Sequence, residues 1–266
     1  GDVAPHWEAL GPQLAGGLSL GMSGFQFWSH DIGGFLGENG DPKLIVRWHQ
    51  FGCLNSHARN HGCGDREIYK LPPKFFRAAR EAIRLRYRLL PYILGSARQC
   101  VANSLPMLRP LVVEFPDDPT TWNIADQFLL GDSLLVAPVF TPEDRRRVYL
   151  PAGVWTDWWT HRQRTGPCWL DWENIPLTRF PLYIRHGGLI PLQPVMNYIG
   201  EKPVTEIQLL VALRPTDGRH RFTVPVNDEL VPVTYESRRG RHRVTVGRSG
   251  VKFRVQALGN GQLRVC

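Results

Sequence analysis

The sequence predicts an α/β segment followed by an all-β segment, on two observations. Residues 24 to 115 read as strand, long helix, strand, the pattern of a parallel sheet with a crossover helix. After Asp132 the helical periodicity vanishes, and short strand-like runs divided by Pro and Gly suggest a β-sandwich or barrel.

A glycine-rich entry precedes the first expected strand, residues 24 to 28, where Phe25 and Phe27 alternate with Gln26 and Trp28 follows. This run turns polar at Ser29-His30-Asp31 and opens into Gly33 and Gly34. A long helix is expected near 74 to 101, with Phe76, Ala79, Ile83, Tyr87 and Leu90 at helical spacing. Arg77, Arg80, Arg84 and Arg88 form an opposite polar stripe. Pro72 and Pro73 mark its start, and Pro91 is expected to kink it. The run from Leu108 to Phe115 is expected to be the parallel neighbour of residues 24 to 31. Beyond 132, SLLVAPVF, RRRVYLP, GVWTDWW, PLYIRHGGLIPL and EIQLLVAL read as short strands. Three regions follow: 1–131, 132–200, and a more basic, less aromatic 201–266.

At 266 residues the chain can bury a substantial core, and 42% hydrophobic with 21% charged residues exclude a disordered polymer. No apolar run is long enough to span a bilayer, so no membrane partner is expected. The five cysteines are scattered and odd in number, with no zinc-type CxxC pair and no Asn-x-Ser/Thr acceptor. A reducing, cytoplasmic setting is therefore expected. The formal charge of +8 is concentrated at the end: residues 214–266 carry 11 basic and 4 acidic residues. Arginines 219, 221, 239, 241 and 243 alternate with hydrophobic or small residues, as on a solvated strand face. No aromatic interleaving accompanies them, so no nucleic-acid partner is expected.

Three polar clusters could carry chemistry. Polar residues at the C-terminal end of a barrel strand face a site, which suits Ser29-His30-Asp31. Asp31 equally suits a turn cap, and His30 a hydrogen-bonded core histidine. SHARNHG, residues 56–62, places His57, Arg59 and His61 in alternation. His57 and His61 lack the glutamate of a metalloprotease motif, so no metal is expected. Asp2, beside Gly1 and near Trp7, is a third isolated carboxylate.

GLSLGMSGFQFWSHDIGGF followed by VRWHQFGCLNSHARNHG resembles the retaining α-glycosidases of glycoside hydrolase family 31, most of all the α-xylosidase branch. The likeness continues through LRYRLLPYI, PMLRPLVVEFPDD, QFLLGDSLLVAPVF and YLPAGVWTDWW, covering roughly residues 1–195. The resemblance implies the C-terminal part of a (β/α)8 TIM barrel over 1–131, a proximal β-sandwich over 132–200 and a divergent distal β-domain over 201–266. It implies that Asp2 is the general acid/base and that Asp31 braces groups near the sugar. By the same likeness Phe35 walls a subsite and His61 hydrogen-bonds a hydroxyl. Trp28 counts with these substrate-binding residues as a support behind the sugar, alongside Arg59 and His30.

The family's nucleophile phrase, such as Thr-Asp-Phe-Gly-Glu, does not occur in these residues. The resemblance therefore implies the C-terminal portion of such an enzyme, inactive as a fragment, with the upstream part of the barrel as its partner. The alternative is a catalytically incomplete carbohydrate-binding or scaffold piece. The implied substrate is a terminal α-linked xylose or glucose residue, with no cofactor. Hydrolase against lyase outcome and self-association into a homo-oligomer are left open.

Overall fold

A computed structural model of the chain describes residues 2–38 and 40–266. Chain order runs α1 (Trp7–Met22), β1 (Asp31–Ile32), α2 (Pro42–Gly52), β2 (Arg59–Asn60), α3 (Pro73–Asn103), β3 (Leu108–Pro110) and α4 (Leu111–Glu114). The remaining twelve strands follow in two groups. The first comprises β4 (Phe128–Leu130), β5 (Leu134–Val136), β6 (Arg146–Asp157), β7 (Gln163–Trp172) and β8 (Leu182–Arg185). Then come β9 (Leu189–Leu192), β10 (Glu206–Ala212), β11 (Gly218–Val226), β12 (Glu229–Arg238), β13 (Arg241–Val246), β14 (Lys252–Leu258) and β15 (Leu263–Val265).

The α/β-then-β organisation is as expected, but its start is helical. The glycine-rich entry forms α1, a helix in spite of four glycines, because two of them permit close packing. A Cβ on Gly17 would collide with the Trp28 ring, and one on Gly21 would meet Pro106 at 3.2 Å. Long-range contact thus overrides the poor helix propensity of glycine.

Residues 24 to 30 form no ladder, and 108–115 is not their parallel partner. β3 is three residues long, pairs antiparallel with β4 and gives way to the α4 turn. Met107, just before the second run, donates its N–H to the Gln26 carbonyl at 3.0 Å. The parallel neighbour of β1 is β2, with Asp31 opposite Arg59 and Ile32 opposite Asn60.

The expected long helix is α3, 31 residues, which continues through Pro91. Of the expected face only Ala79 is fully buried; the deepest face is rotated from it and contains Ala78, Ala82, Leu85, Leu89, Tyr92 and Ser96. Small residues let neighbouring elements approach there, whereas Phe76, Ile83, Tyr87 and Leu90 are half-buried beside it.

β3–β4–β5–β8–β6–β7 form a six-stranded sheet. The boundary expected at 131/132 falls inside it, because β3 and β4 precede that point. The boundary at 200/201 is crossed likewise: β9 pairs with β10, which pairs parallel with β14. β11–β12–β13–β15 form a four-stranded sheet whose inner residues Phe222, Val224, Val233, Tyr235 and Val244 are buried.

Polar clamps join these layers. Arg47 of α2 is fully buried, and its guanidinium donates to Asp144 Oδ1 at 2.7 Å and to the carbonyls of Ile175 and Arg179 at 2.7 Å. One guanidinium thereby holds α2 against the loops flanking β6 and β7.

Candidate functional site

The ends of β1 and β2 bring two of the three polar clusters together. Across the parallel register, Arg59 Nε donates to Asp31 Oδ1 at 2.6 Å. The Asp31 side chain is mostly covered while Arg59 projects outward, the side-chain exposures being 14% and 61%. A carboxylate so placed is a fixed acceptor at a strand end, with one face taken by the guanidinium.

Beyond β1 the chain turns through Gly33 and Gly34, both with positive φ, 90° and 78°. A Cβ on Gly34 would lie 2.9 Å from the Val3 carbonyl oxygen, so glycine is required for the approach of two backbones. That carbonyl accepts the N–H groups of Phe35 at 2.8 Å and Leu36 at 3.0 Å. The residue next to Asp2 is thereby anchored to the Phe35 loop. Asp2 is exposed; Gly1 lies outside the described residues. Phe35 meets exposed His61 with ring centroids 5.4 Å apart. Asp2, Phe35 and His61 are thus linked through one loop, and Asp31 and Arg59 occupy the strand ends that lead into that loop and the His61 segment.

Arg66, 6% exposed, organises this loop and was not among the residues singled out from sequence. It donates from Nε to the Gly34 carbonyl at 2.8 Å and from Nη2 to the Gly37 carbonyl at 2.7 Å. Its remaining bonds reach the Phe35 carbonyl at 3.4 Å, the Leu36 carbonyl at 3.2 Å and the Asp65 carbonyl at 2.9 Å. A planar fork of five donors suits a row of carbonyls as an ammonium does not. The only signal in the sequence was an arginine placed shortly after a glycine-rich stretch. Arg86 of α3 acts similarly on the approach to β2, donating to the carbonyls of Cys53 and Asn55 at 3.0 and 2.6 Å, and to Ser56 at 3.0 Å.

Trp28 is a correction. Its ring packs into the core against Gly17 of α1 and is 7% exposed, so it contributes packing, not a surface open to a ligand. The helix α1 behind this extended segment claims its aromatic residue. Ser56 Oγ fixes its backbone, accepting the Trp28 N–H at 3.1 Å and donating to its carbonyl at 2.6 Å. His30 is a structural support. Its Nδ1 accepts the Trp48 indole N–H at 2.9 Å, and its ring stacks on Phe51 at 4.2 Å. Burial pushes the His30 imidazole down to about 4, against the smaller opposing influence of Asp31, so it is neutral. His57 stays near Ser56 Oγ at 3.1 Å and Phe27. Among the described residues, no group of three His, Cys, Asp or Glu side chains could hold a metal ion. Among the described residues, no helix is long and apolar enough to cross a membrane.

This arrangement has counterparts in known proteins. Residues 1–95 match the family model described as the glycosyl hydrolases family 31 TIM-barrel domain, and 104–190 match the family 31 C-terminal domain. The chain belongs to glycoside hydrolase family 31. It is 36% identical over 199 residues to alpha-glucosidase 2 of Bacillus thermoamyloliquefaciens, covering 73% of this chain and 25% of that protein. An alpha-xylosidase of Saccharolobus solfataricus is 31% identical over 253 residues, or 92% of this chain and 33% of the relative. Among solved structures, a Flavobacterium johnsoniae family 31 dextranase complexed with glucose superposes with a TM-score of 0.86 at 28% identity. It covers 97% of this chain and 36% of its own. The family 31 alpha-xylosidase of Xanthomonas citri gives 0.83 at 27%, covering 98% and 32%. The chain spans about a quarter to a third of the length of these curated relatives.

Proposed function

We propose that this chain is the C-terminal portion of a retaining α-glycosidase acting on terminal α-linked xylose or glucose. On this reading residues through α3 complete a (β/α)8 barrel, and the β-domains begin at β3. The observation that carries the site is the Asp31–Arg59 pair across β1 and β2, with Phe35 and His61 in ring contact beside it. A neutral sugar offers hydroxyls and an apolar ring face, which this set of carboxylate, guanidinium, imidazole and phenyl groups can meet.

Retention needs two carboxyl groups about 5–5.5 Å apart, one attacking the anomeric carbon and one protonating the leaving oxygen. Asp2 takes the second role. It gives its proton to the departing oxygen, then as carboxylate withdraws one from the water that opens the glycosyl ester. The ester-forming aspartate lies outside these residues. Asp31 and Arg59 fix the orientation of the sugar, Phe35 walls it and His61 hydrogen-bonds a hydroxyl. The scaffold or carbohydrate-binding alternative rests on the missing nucleophile phrase.

The test is turnover of p-nitrophenyl α-xyloside and α-glucoside by the protein with its upstream barrel and by these 266 residues alone. The joined protein is expected to release the α-anomer first, and Asp2→Ala to lose about 10²- to 10⁴-fold on poor leaving groups while sparing activated aryl glycosides in the first step. The 266-residue chain alone is expected to be inactive. First release of the β-anomer would exclude retention. Turnover by the chain alone would place a nucleophile within it, and an inactive joined protein that still binds oligosaccharide would favour the scaffold reading.

A further inference from the structure

The outward face of the β11–β12–β13–β15 sheet is an arginine field. Arg219, Glu236, Arg243 and Arg264 stand opposite one another in a single row across all four strands. In the next row Arg238 faces Arg241 directly. Neighbouring strands are about 4.8 Å apart and same-face residues about 6.8 Å along a strand, so the charges form a regular grid. Glu236, Arg238, Arg241, Arg243 and Arg264 border an open trough of about 1070 Å³.

Most of this charge lacks a protein partner. Glu236 pairs with Arg219 at 3.1 Å. Asp217, in the preceding turn, accepts the Arg239 backbone N–H at 2.6 Å. Among the described residues, no carboxylate comes within ion-pair distance of Arg238, Arg241, Arg243 or Arg264. Like charges directly opposed across a ladder are destabilising, so the Arg238–Arg241 pair gains from an external anion. The opposite face of the same sheet supplies buried core residues, among them Phe222, Val224, Val233, Tyr235 and Val244, so the core packing does not involve the arginines.

We propose that this face docks an acidic polysaccharide, with the carboxylates of uronic-acid-type units held in the arginine forks. A guanidinium meets a carboxylate bidentately, and the spaced grid suits a polymer with one charge per sugar. The outward positions between the arginines include Thr234 and Thr245, whose hydroxyls can bond sugar hydroxyls. No aromatic side chain lies at the outward positions of β11 to β13 to stack a base, and a sheet face offers no helix to enter a duplex groove. These features favour a carboxylated polysaccharide over a nucleic acid.

The test is affinity electrophoresis and titration of the whole chain with polygalacturonate, neutral dextran, and single-stranded and duplex DNA. Binding to polygalacturonate is expected to fall with added salt and to hold from pH 6 to 9, since arginine stays charged. The triple variant Arg241→Glu, Arg243→Glu, Arg264→Glu is expected to weaken it by about tenfold or more. A control of equal charge, Arg145→Glu, Arg162→Glu, Arg164→Glu, is on exposed sites elsewhere and should change it less than about twofold. A glutamine triple at 241, 243 and 264 serves if the glutamate variant does not fold. Equal loss in both triples, no binding, or equal retention by dextran would overturn the proposal. Tighter binding of either DNA would assign the face to nucleic acid instead. Because binding is read without turnover, the result is independent of the glycosidase reading.

Discussion

His220 of β11 reaches across to the turn between β4 and β5, where its Nε2 lies 3.0 Å from Asp132 Oδ2, while its Nδ1 lies 2.8 Å from the Gly187 carbonyl oxygen. Both neighbours are acceptors, so both ring nitrogens carry protons and the ring is an imidazolium. Ser133 Oγ donates to the other Asp132 oxygen at 2.5 Å. One charged pair thus ties the four-stranded sheet to the six-stranded one.

Stability should follow the titration of this pair. Burial opposes charging of His220, but the Asp132 hydrogen bond and charge outweigh it and raise the His220 pKa. Burial likewise opposes ionisation of Asp132, and the bond and charge of His220 overcome it, holding the carboxyl below the usual range. The His220 contribution is complete below about pH 6.5 and is lost as pH rises through its raised folded pKa. The Asp132 contribution is present above about pH 3.9 and is lost as pH falls through its depressed folded pKa. Urea midpoints from pH 5 to 9 should show the alkaline loss in the parent and a flatter profile in His220→Gln. That variant should be about 1–3 kcal/mol less stable at pH 6. Parallel profiles for the two proteins would rule the pair out as the cause.

Arg59→Ala should separate stability from sugar binding. The guanidinium is largely exposed, so removing the ion pair should cost no more than about 1 kcal/mol in a thermal melt. Freed Asp31 loses its orientation, and kcat/KM of the joined protein should fall by about 10²-fold. Unchanged kinetics would mean that the pair only closes β1 on β2.

Arg66→Lys should loosen the 33–37 loop. A lysine offers no fork, so several carbonyls lose their donors, each costing about 1–3 kcal/mol where water does not replace it. Limited proteolysis should then cut between residues 33 and 38 faster than in the parent. Equal cleavage rates would show that the backbone turns hold the loop without the guanidinium.

Gly17→Ala should destabilise the start of the fold. The added methyl has no room against the Trp28 ring, and overpacking of this kind costs about 1–3 kcal/mol. Equilibrium urea unfolding measures it. A variant as stable as the parent would show that the indole ring can yield.

Much of the candidate cluster is legible in residue order, because strand-end polarity and glycine spacing are local. The strand-end pattern marks Asp31, and the family resemblance adds Phe35 and His61. Arg66 and Arg86 did not, since their partners are backbone carbonyls of loops whose path no side-chain pattern encodes. Trp28 differs from its expected place because a tryptophan after an alternating run reads alike whether it faces a ligand or a helix.

By itself the sequence determined the α/β-to-β transition, the long helix α3 and the alternation that puts arginines outside and Val224, Val233 and Val244 inside their sheet. These depend on periodicity, which a chain carries wherever it folds. The tertiary structure decided what periodicity cannot: that the glycine-rich entry is a helix, that β1 pairs with β2, and that β3 joins the six-stranded sheet. Glycines become helical only where a neighbour such as Trp28 fills the space beside them, and two- or three-residue strands acquire register only from the segment opposite. Both are properties of contacts between distant residues, made when the layers close.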